Sequence, residues 1–125
     1  MRYVLLICDD ESEVLSPADV AAHPDHRAWI DEMVERDVLL GGERLRPVAD
    51  ATTVRVRDGE VLVSDGPFAE TKELVAGFAI VECTDLDEAL EVAAKHPYAA
   101  TGTIEVRPVW EPWIRPSGPA STRQP

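Results

Sequence analysis

The pattern of apolar positions predicts two buried strands, over residues 3–8 and 74–83. In both segments the apolar residues are continuous rather than alternating, which is typical of strands covered on both faces. Only two helical regions are predicted elsewhere, and right-handed crossovers place both on the same face of an antiparallel sheet. The other face therefore needs a different cover, and a second copy of the same sheet, related by a two-fold axis, is the most economical one. The pattern thus predicts a homodimer.

Helical spacing of apolar residues predicts a first helical region that starts at Ser16, restarts at Pro24 and ends at the glycine pair 41–42. Ser16 precedes a proline and, three residues later, an aspartate, which is the pattern of a capped helix start. Proline then interrupts the region, because it cannot continue a helix and begins a new segment more readily. A second helix is predicted to start with a capping pattern at residues 84–87 and to stop at His96.

A β-hairpin is predicted between these helices. Residues 53–57 and 60–64 are rich in valine and flank an Asp-Gly pair, which is a strong signal for a two-residue turn. The register that this turn imposes places Arg57 opposite Glu60 as a cross-strand ion pair.

An alternating strand over residues 103–109 completes the order β-α-β-β-β-α-β. This is a split β-α-β arrangement with an extra hairpin, in the α+β class. A chain of 125 residues has the size of one domain, which we expect to span residues 1–110. The segment 111–125 is rich in Pro and Ser and is predicted to be a disordered tail.

The charge of the chain excludes several classes of partner. There are 24 acidic and 12 basic residues, and a formal net charge of −12 repels nucleic acids and anionic membrane surfaces. No apolar run approaches the roughly 20 residues of a membrane helix. Cys8 and Cys83 lie in apolar strands and outside any metal or redox motif, so we expect free thiols in a reducing cytoplasm. No cofactor and no metal site is predicted, because no cluster of ligands has the required spacing.

The most distinctive segment is DGPFAETKE at residues 65–73. Together with ATTVRVRDG at residues 51–59 it resembles the DGPF branch of the YCII-related domain family. The same pattern includes GGE at 41–43, DLDEA at 85–89 and EVRPV at 105–109. The resemblance covers roughly residues 1–110 and implies a ferredoxin-like protomer in a dimeric α+β barrel.

Two functional expectations follow from the resemblance. Some YCII-like proteins are suspected enzymes in which a His and an Asp meet in a cleft beside the sheet, and Asp65 matches the signature aspartate by position. None of the three histidines of the chain is matched to the family's histidine. DGPF proteins are also often associated in bacterial genomes with extracytoplasmic-function sigma factors, which implies a protein partner.

Six polar side chains are predicted to line a cleft for a small polar or anionic molecule. The candidate catalytic carboxylates are Asp65 and Glu105, and the candidate ligand contacts are Glu70, Thr71, Lys72 and Arg107. A carboxylate held at the cleft can act as a general base, while a Lys or Arg stabilises a developing anion. The alternative for the whole protein is a non-catalytic partner or modulator of an extracytoplasmic-function sigma factor, whose basic surface would attract this acidic chain.

Each candidate also has a structural interpretation. Asp65 precedes a Gly-Pro turn, where an aspartate commonly caps its own backbone. Lys72 has acidic neighbours with which it can form an ordinary surface ion pair. Glu105 and Arg107 form a solvated stripe if their face of the strand is open to water. His26 and His96 are interpreted as a helix-surface residue and a helix C-terminal residue, respectively.

Overall fold

The computed structural model describes residues 1–10, 16–66 and 74–111. Within these ranges the order of elements is β1 (Arg2–Asp9), α1 (Pro17–Ala22), α2 (Pro24–Glu35), β2 (Leu39–Arg44), a 3-10 turn (Val48–Asp50), β3 (Thr52–Arg57), β4 (Glu60–Asp65), β5 (Leu74–Glu82), α3 (Leu86–Ala94), α4 (Tyr98–Thr101) and β6 (Thr103–Pro108). Four strands form an antiparallel sheet in the order β2-β5-β1-β6, while β3 and β4 pair separately. The α+β, ferredoxin-like fold is therefore confirmed.

The core lies between the sheet and the helices. On the central strand β1, buried residues alternate with half-buried ones, so that Tyr3 and Leu5 point to the same face. They pack with Trp29 and Met33 of α2, and with Val92 of α3. The helices thus cover one face of the sheet.

The opposite face carries a strip of apolar side chains, which we call the helix-free face: Val4, Leu6, Phe78 and Ile80. The register pairs Val4 with Ile80 and Leu6 with Phe78, and all four side chains are half-buried. Both central strands are therefore apolar on both faces, which explains the continuous runs in the sequence.

The first helical region ends earlier than its apolar spacing predicted. Helix α2 stops at Glu35, and Asp37 adopts a positive φ of 60° that turns the chain into β2. The glycine pair, interpreted from the sequence as the helix terminator, lies inside β2. A Cβ atom at Gly42 would lie 2.4 Å from the carbonyl oxygen of Phe78, so β2 passes β5 too closely for any side chain. Gly42 permits this close approach of the two strands. The prediction that the glycine pair ends the helix was wrong.

Replacing Gly42 with alanine is expected to lower the free energy of unfolding by about 1–3 kcal/mol, because the added methyl group meets rigid backbone. Gly41 provides a matched control, since no atom lies within 4 Å of a Cβ built there. Chemical denaturation of the two variants measures the difference. Equal losses for Gly41→Ala and Gly42→Ala would contradict the steric explanation.

The hairpin forms in the predicted register. Val54 pairs with Val63 and Val56 with Val61, and Asp58 and Gly59 both have the positive φ of a two-residue hairpin turn. The ion pair expected across the turn does not form: the Arg57 guanidinium donates instead to the Val56 carbonyl oxygen, at 2.9 Å.

The predicted helix starts are confirmed. At α1, Ser16 and Asp19 form a reciprocal capping box, and at α3 the Asp85 side chain accepts from the backbone N–H of Glu88. Cys8 and Cys83 do not form a disulfide with each other. Among the described residues, no helix combines the length and apolar character needed to cross a bilayer. Of the predicted disordered tail, residues 112–125 lie outside the described part of the chain.

Candidate functional site

A pocket of about 340 Å³ lies between the helices and the β2–β5 side of the sheet. Its apolar lining includes Ile7, Leu39, Ile30 and Ala79. Helix α2 contributes His26 and Trp29, the turn after α3 contributes His96, helix α4 contributes Tyr98, and strand β2 contributes Arg44. We call this cavity the helix-side pocket.

His96 is the one buried polar residue among those that the structure describes, with 3% of its surface exposed. Its Nδ1 atom accepts a hydrogen bond from the backbone N–H of Tyr98, at 3.0 Å. The neutral ring therefore carries its proton on Nε2, which is buried and has no hydrogen-bond partner in the described part of the chain. Burial, reinforced by His26, lowers the pKa of His96 to about 4, so the ring is neutral at pH 7.

His26 lies beside His96, with 5.4 Å between the ring centroids and the two rings nearly perpendicular. Its Nδ1 atom is also buried and has no hydrogen-bond partner within the described ranges. Burial lowers the pKa of His26, and the positive charges of Arg44 and His23 lower it further. The pocket wall thus holds two neutral imidazoles, each with one unsatisfied nitrogen.

The aromatic residues around the histidines fix their positions. The Trp29 ring packs edge-on against His96 with 4.8 Å between centroids, and its indole N–H donates to the Val92 carbonyl oxygen at 3.0 Å. Tyr98 packs on His96 from another side, at 5.7 Å, and lies under the guanidinium of Arg44. The buried hydrogen bond of Trp29 joins α2, which carries His26, to the last turn of α3, which leads into His96.

A wider groove shares the histidine wall of the helix-side pocket and is more acidic than that pocket. It is lined by His26, Trp29, His96 and Tyr98, and also by acidic residues that include Asp9, Asp19, Asp25 and Glu32. Such a border repels anions and favours neutral or cationic molecules. Among the described residues, no group of three or more His, Cys, Asp or Glu side chains could hold a metal ion.

The site residues predicted from the sequence lie elsewhere. Asp65 is exposed at the end of β4. The next residue, Gly66, donates its backbone N–H to the Ala51 carbonyl oxygen at 2.8 Å and accepts from the Thr53 hydroxyl at 2.7 Å. Glu105 and Arg107 pair with Leu6 and Val4 in the sheet register, so they lie on the side of the helix-free face.

Both of these β6 side chains are more than half exposed, and they form an ion pair with each other at 3.4 Å. Glu70, Thr71 and Lys72 lie outside the described residues. Asp65, Glu105 and Arg107 do not line the helix-side pocket, and their roles stay predictions.

The two histidines were missed because they are far apart in sequence and each has an ordinary local explanation. One signal was present: His26 precedes Trp29 by three residues and Ile30 by four, which places it on the apolar side of α2. No comparable local pattern marks His96, because only the fold brings it to His26. The resemblance implied a His and an Asp beside the sheet, whereas the side chain packed on His26 here is a second imidazole.

Two comparisons with known proteins bear on this arrangement. The family model described as YCII-related domain matches residues 1–114. An uncharacterised protein of Rhizobium meliloti (strain 1021) is 39% identical over 117 residues, which cover 87% of this chain and 92% of the relative. The region matched by the family model includes both histidines and the whole described fold.

Proposed function

Since the chain belongs to the YCII-related domain family, and neither match assigns a reaction, we propose from its geometry that it binds a small organic molecule in the helix-side pocket. One observation carries this proposal: two buried ring nitrogens, His96 Nε2 and His26 Nδ1, line the same cavity without hydrogen-bond partners in the described part of the chain. Buried polar atoms are nearly always satisfied, and each unsatisfied one costs about 1–3 kcal/mol. A ligand that supplies the missing hydrogen-bond partners removes this unfavourable free energy.

The composition of the pocket supports the same function. Binding sites for small molecules are concave and mostly apolar, with a few polar groups that fix the orientation of the ligand. Here the apolar lining of Ile7, Leu39 and Ala79 surrounds the two imidazoles. Both rings are neutral at pH 7, because their pKa values are lowered. They therefore act as hydrogen-bonding groups rather than as charges.

Thermal unfolding against a panel of small metabolites tests this proposal. A ligand at roughly 100 times its Kd is expected to stabilise the protein by about 2.7 kcal/mol. The stabilisation should decrease in His26→Leu, which removes the ring nitrogen at a half-buried position, and persist in Asp65→Asn. The opposite result would place the ligand at the DGPF segment, in support of the cleft predicted from the sequence and of its acid–base carboxylates, Asp65 and Glu105. If no ligand in a broad panel stabilises the wild type, the binding function is refuted.

We further propose that the protein is a homodimer in which a second copy covers the helix-free face. Four half-buried apolar side chains occupy the centre of that face, and charged residues, Glu43 on β2 and Glu105 with Arg107 on β6, border it. An apolar centre with a polar rim is the usual composition of a protein interface. The arrangement agrees with the dimeric barrel that the resemblance implied.

Leu6→Glu is expected to convert this dimer into a monomer, because it places a charge at the centre of the apolar strip. The control is Leu90→Glu, which changes an exposed leucine on α3 and should leave the assembly intact. Analytical ultracentrifugation measures the mass. A wild-type protein that sediments as a monomer at micromolar concentration would rule out the dimer.

The alternative function, a partner or modulator of an extracytoplasmic-function sigma factor, is supported by the formal charge of −12. It requires salt-sensitive association with a sigma factor, and an absence of binding at low ionic strength would eliminate it. We also propose a reducing compartment such as the cytoplasm, because Cys8 and Cys83 do not form a disulfide with each other.

A further inference from the structure

We propose that the molecule bound in the helix-side pocket is uncharged and carries a hydroxyl group on an apolar body, and that this hydroxyl binds between His96 Nε2 and His26 Nδ1. The inference rests on the proposed binding function and specifies the chemistry of the ligand. It follows from which hydrogen-bonding roles the two nitrogens can take.

His96 can only donate to the ligand. The backbone N–H of Tyr98 occupies Nδ1 and so fixes the tautomer with the proton on Nε2. Since the ring stays neutral, this N–H needs a partner that accepts a hydrogen bond. A hydroxyl or carbonyl oxygen meets the requirement, and an ammonium group does not.

His26 supplies the complementary role. We assign His26 the tautomer with its proton on Nε2, in which the unpartnered Nδ1 is an acceptor on the ring packed against His96. The ring is half-buried rather than enclosed, and the terminal torsion of a histidine is broad, so a small rotation brings Nδ1 to a ligand atom. A hydroxyl is the simplest group that accepts from one ring and donates to the other.

The charges around the pair favour a neutral ligand and oppose transfer of its proton. Arg44 and His23 both disfavour a positive charge on His26, which therefore holds the hydroxyl proton without removing it. On the groove side, Asp9, Asp19 and Asp25 repel an anionic ligand. A carboxylate would satisfy His96 but would leave the acceptor nitrogen of His26 without a donor.

The rest of the pocket selects the body of the ligand. Ile7, Leu39 and Ala79 offer only apolar contacts, and Trp29 presents an aromatic surface. A volume of about 340 Å³ accommodates a molecule built on one or two rings. Phenolic compounds, which combine an apolar ring with one hydroxyl, match this description.

Three probes of similar shape test the inference: phenol, which accepts and donates; anisole, which only accepts; and toluene, which does neither. We expect phenol to bind the wild type about tenfold more tightly than toluene, with anisole between them, because each hydrogen bond contributes a factor of roughly 2 to 12. Titration followed by NMR reports Kd and also the imidazole signals. Phenol should shift the Nε2–H resonance of His96.

The variant His26→Leu removes the acceptor and keeps an apolar side chain, so phenol should then bind no better than anisole while toluene binds as before. Equal binding of phenol and anisole by the wild type would overturn the bridging hydroxyl, and so would tighter binding of benzoate than of phenol. If none of the probes binds but another molecule stabilises the protein through His26, the ligand class is refuted and the binding function stands. If neither the metabolite panel nor the three probes yield a ligand, the ligand class and the binding function are both refuted.

Discussion

Replacement of Trp29 by alanine is expected to lower the free energy of unfolding by about 4 kcal/mol, near the upper end of the range for loss of a buried aromatic side chain. Trp29 has 5% of its surface exposed and belongs to the main core. Its indole N–H donates to the Val92 carbonyl oxygen, which lies in the last turn of α3 and has no partner further along that helix. The substitution therefore removes apolar contacts and also exposes a helix-end carbonyl.

Trp110 is the matched control, because its side chain is 91% exposed and the same substitution there should change stability by no more than about 0.5 kcal/mol. Urea denaturation followed by circular dichroism measures both variants. Trp29→Phe separates the two contributions, since it keeps most of the apolar contact and loses the hydrogen bond. Similar losses for Trp29→Ala and Trp110→Ala would show that Trp29 does not hold α2 to α3.

Local signals predicted the parts of the fold that depend on a few adjacent residues. The Asp58-Gly59 turn set the hairpin register, and Ser16 with Asp19 marked the start of α1, because both motifs are completed within four residues. Strand β2 was missed for the opposite reason. A glycine after a helix usually ends it, and only the neighbouring strand β5 shows that Gly42 serves a close approach.

The candidate site was harder to predict than the fold. Asp65 was predicted from a motif of which the structure describes only Asp65 and Gly66, and the backbone N–H and carbonyl of Gly66 both have partners within the chain. His26 and His96 come together only through the packing of α2 against α3 and α4, which no local pattern encodes. Their unsatisfied nitrogens are properties of the folded state, so sequence reasoning has no means of detecting them.

The stability of the protein is expected to fall by about 3 kcal/mol between pH 6.5 and pH 4, because His96 must become protonated on unfolding in that interval. Its pKa is about 4 in the folded protein against 6.5 for an exposed histidine, so the unfolded chain binds more protons between these values. The free energy of unfolding therefore rises with pH across this window. The contribution of neutral His96 reaches its full value above pH 6.5. His26, whose pKa is also lowered by burial, contributes in the same direction.

Denaturant titrations at half-unit pH intervals measure this slope, and His96→Gln should flatten most of it. Trp110→Ala is the control, because it changes an exposed side chain that does not titrate and should leave the slope unchanged. Glu32, Glu82 and Glu91 have pKa values lowered by ion pairs, so their contribution is lost below about pH 4.5 and overlaps only the lower end of the histidine window. A wild-type slope that survives in His96→Gln would show that His96 is not the buried neutral group that controls acid sensitivity.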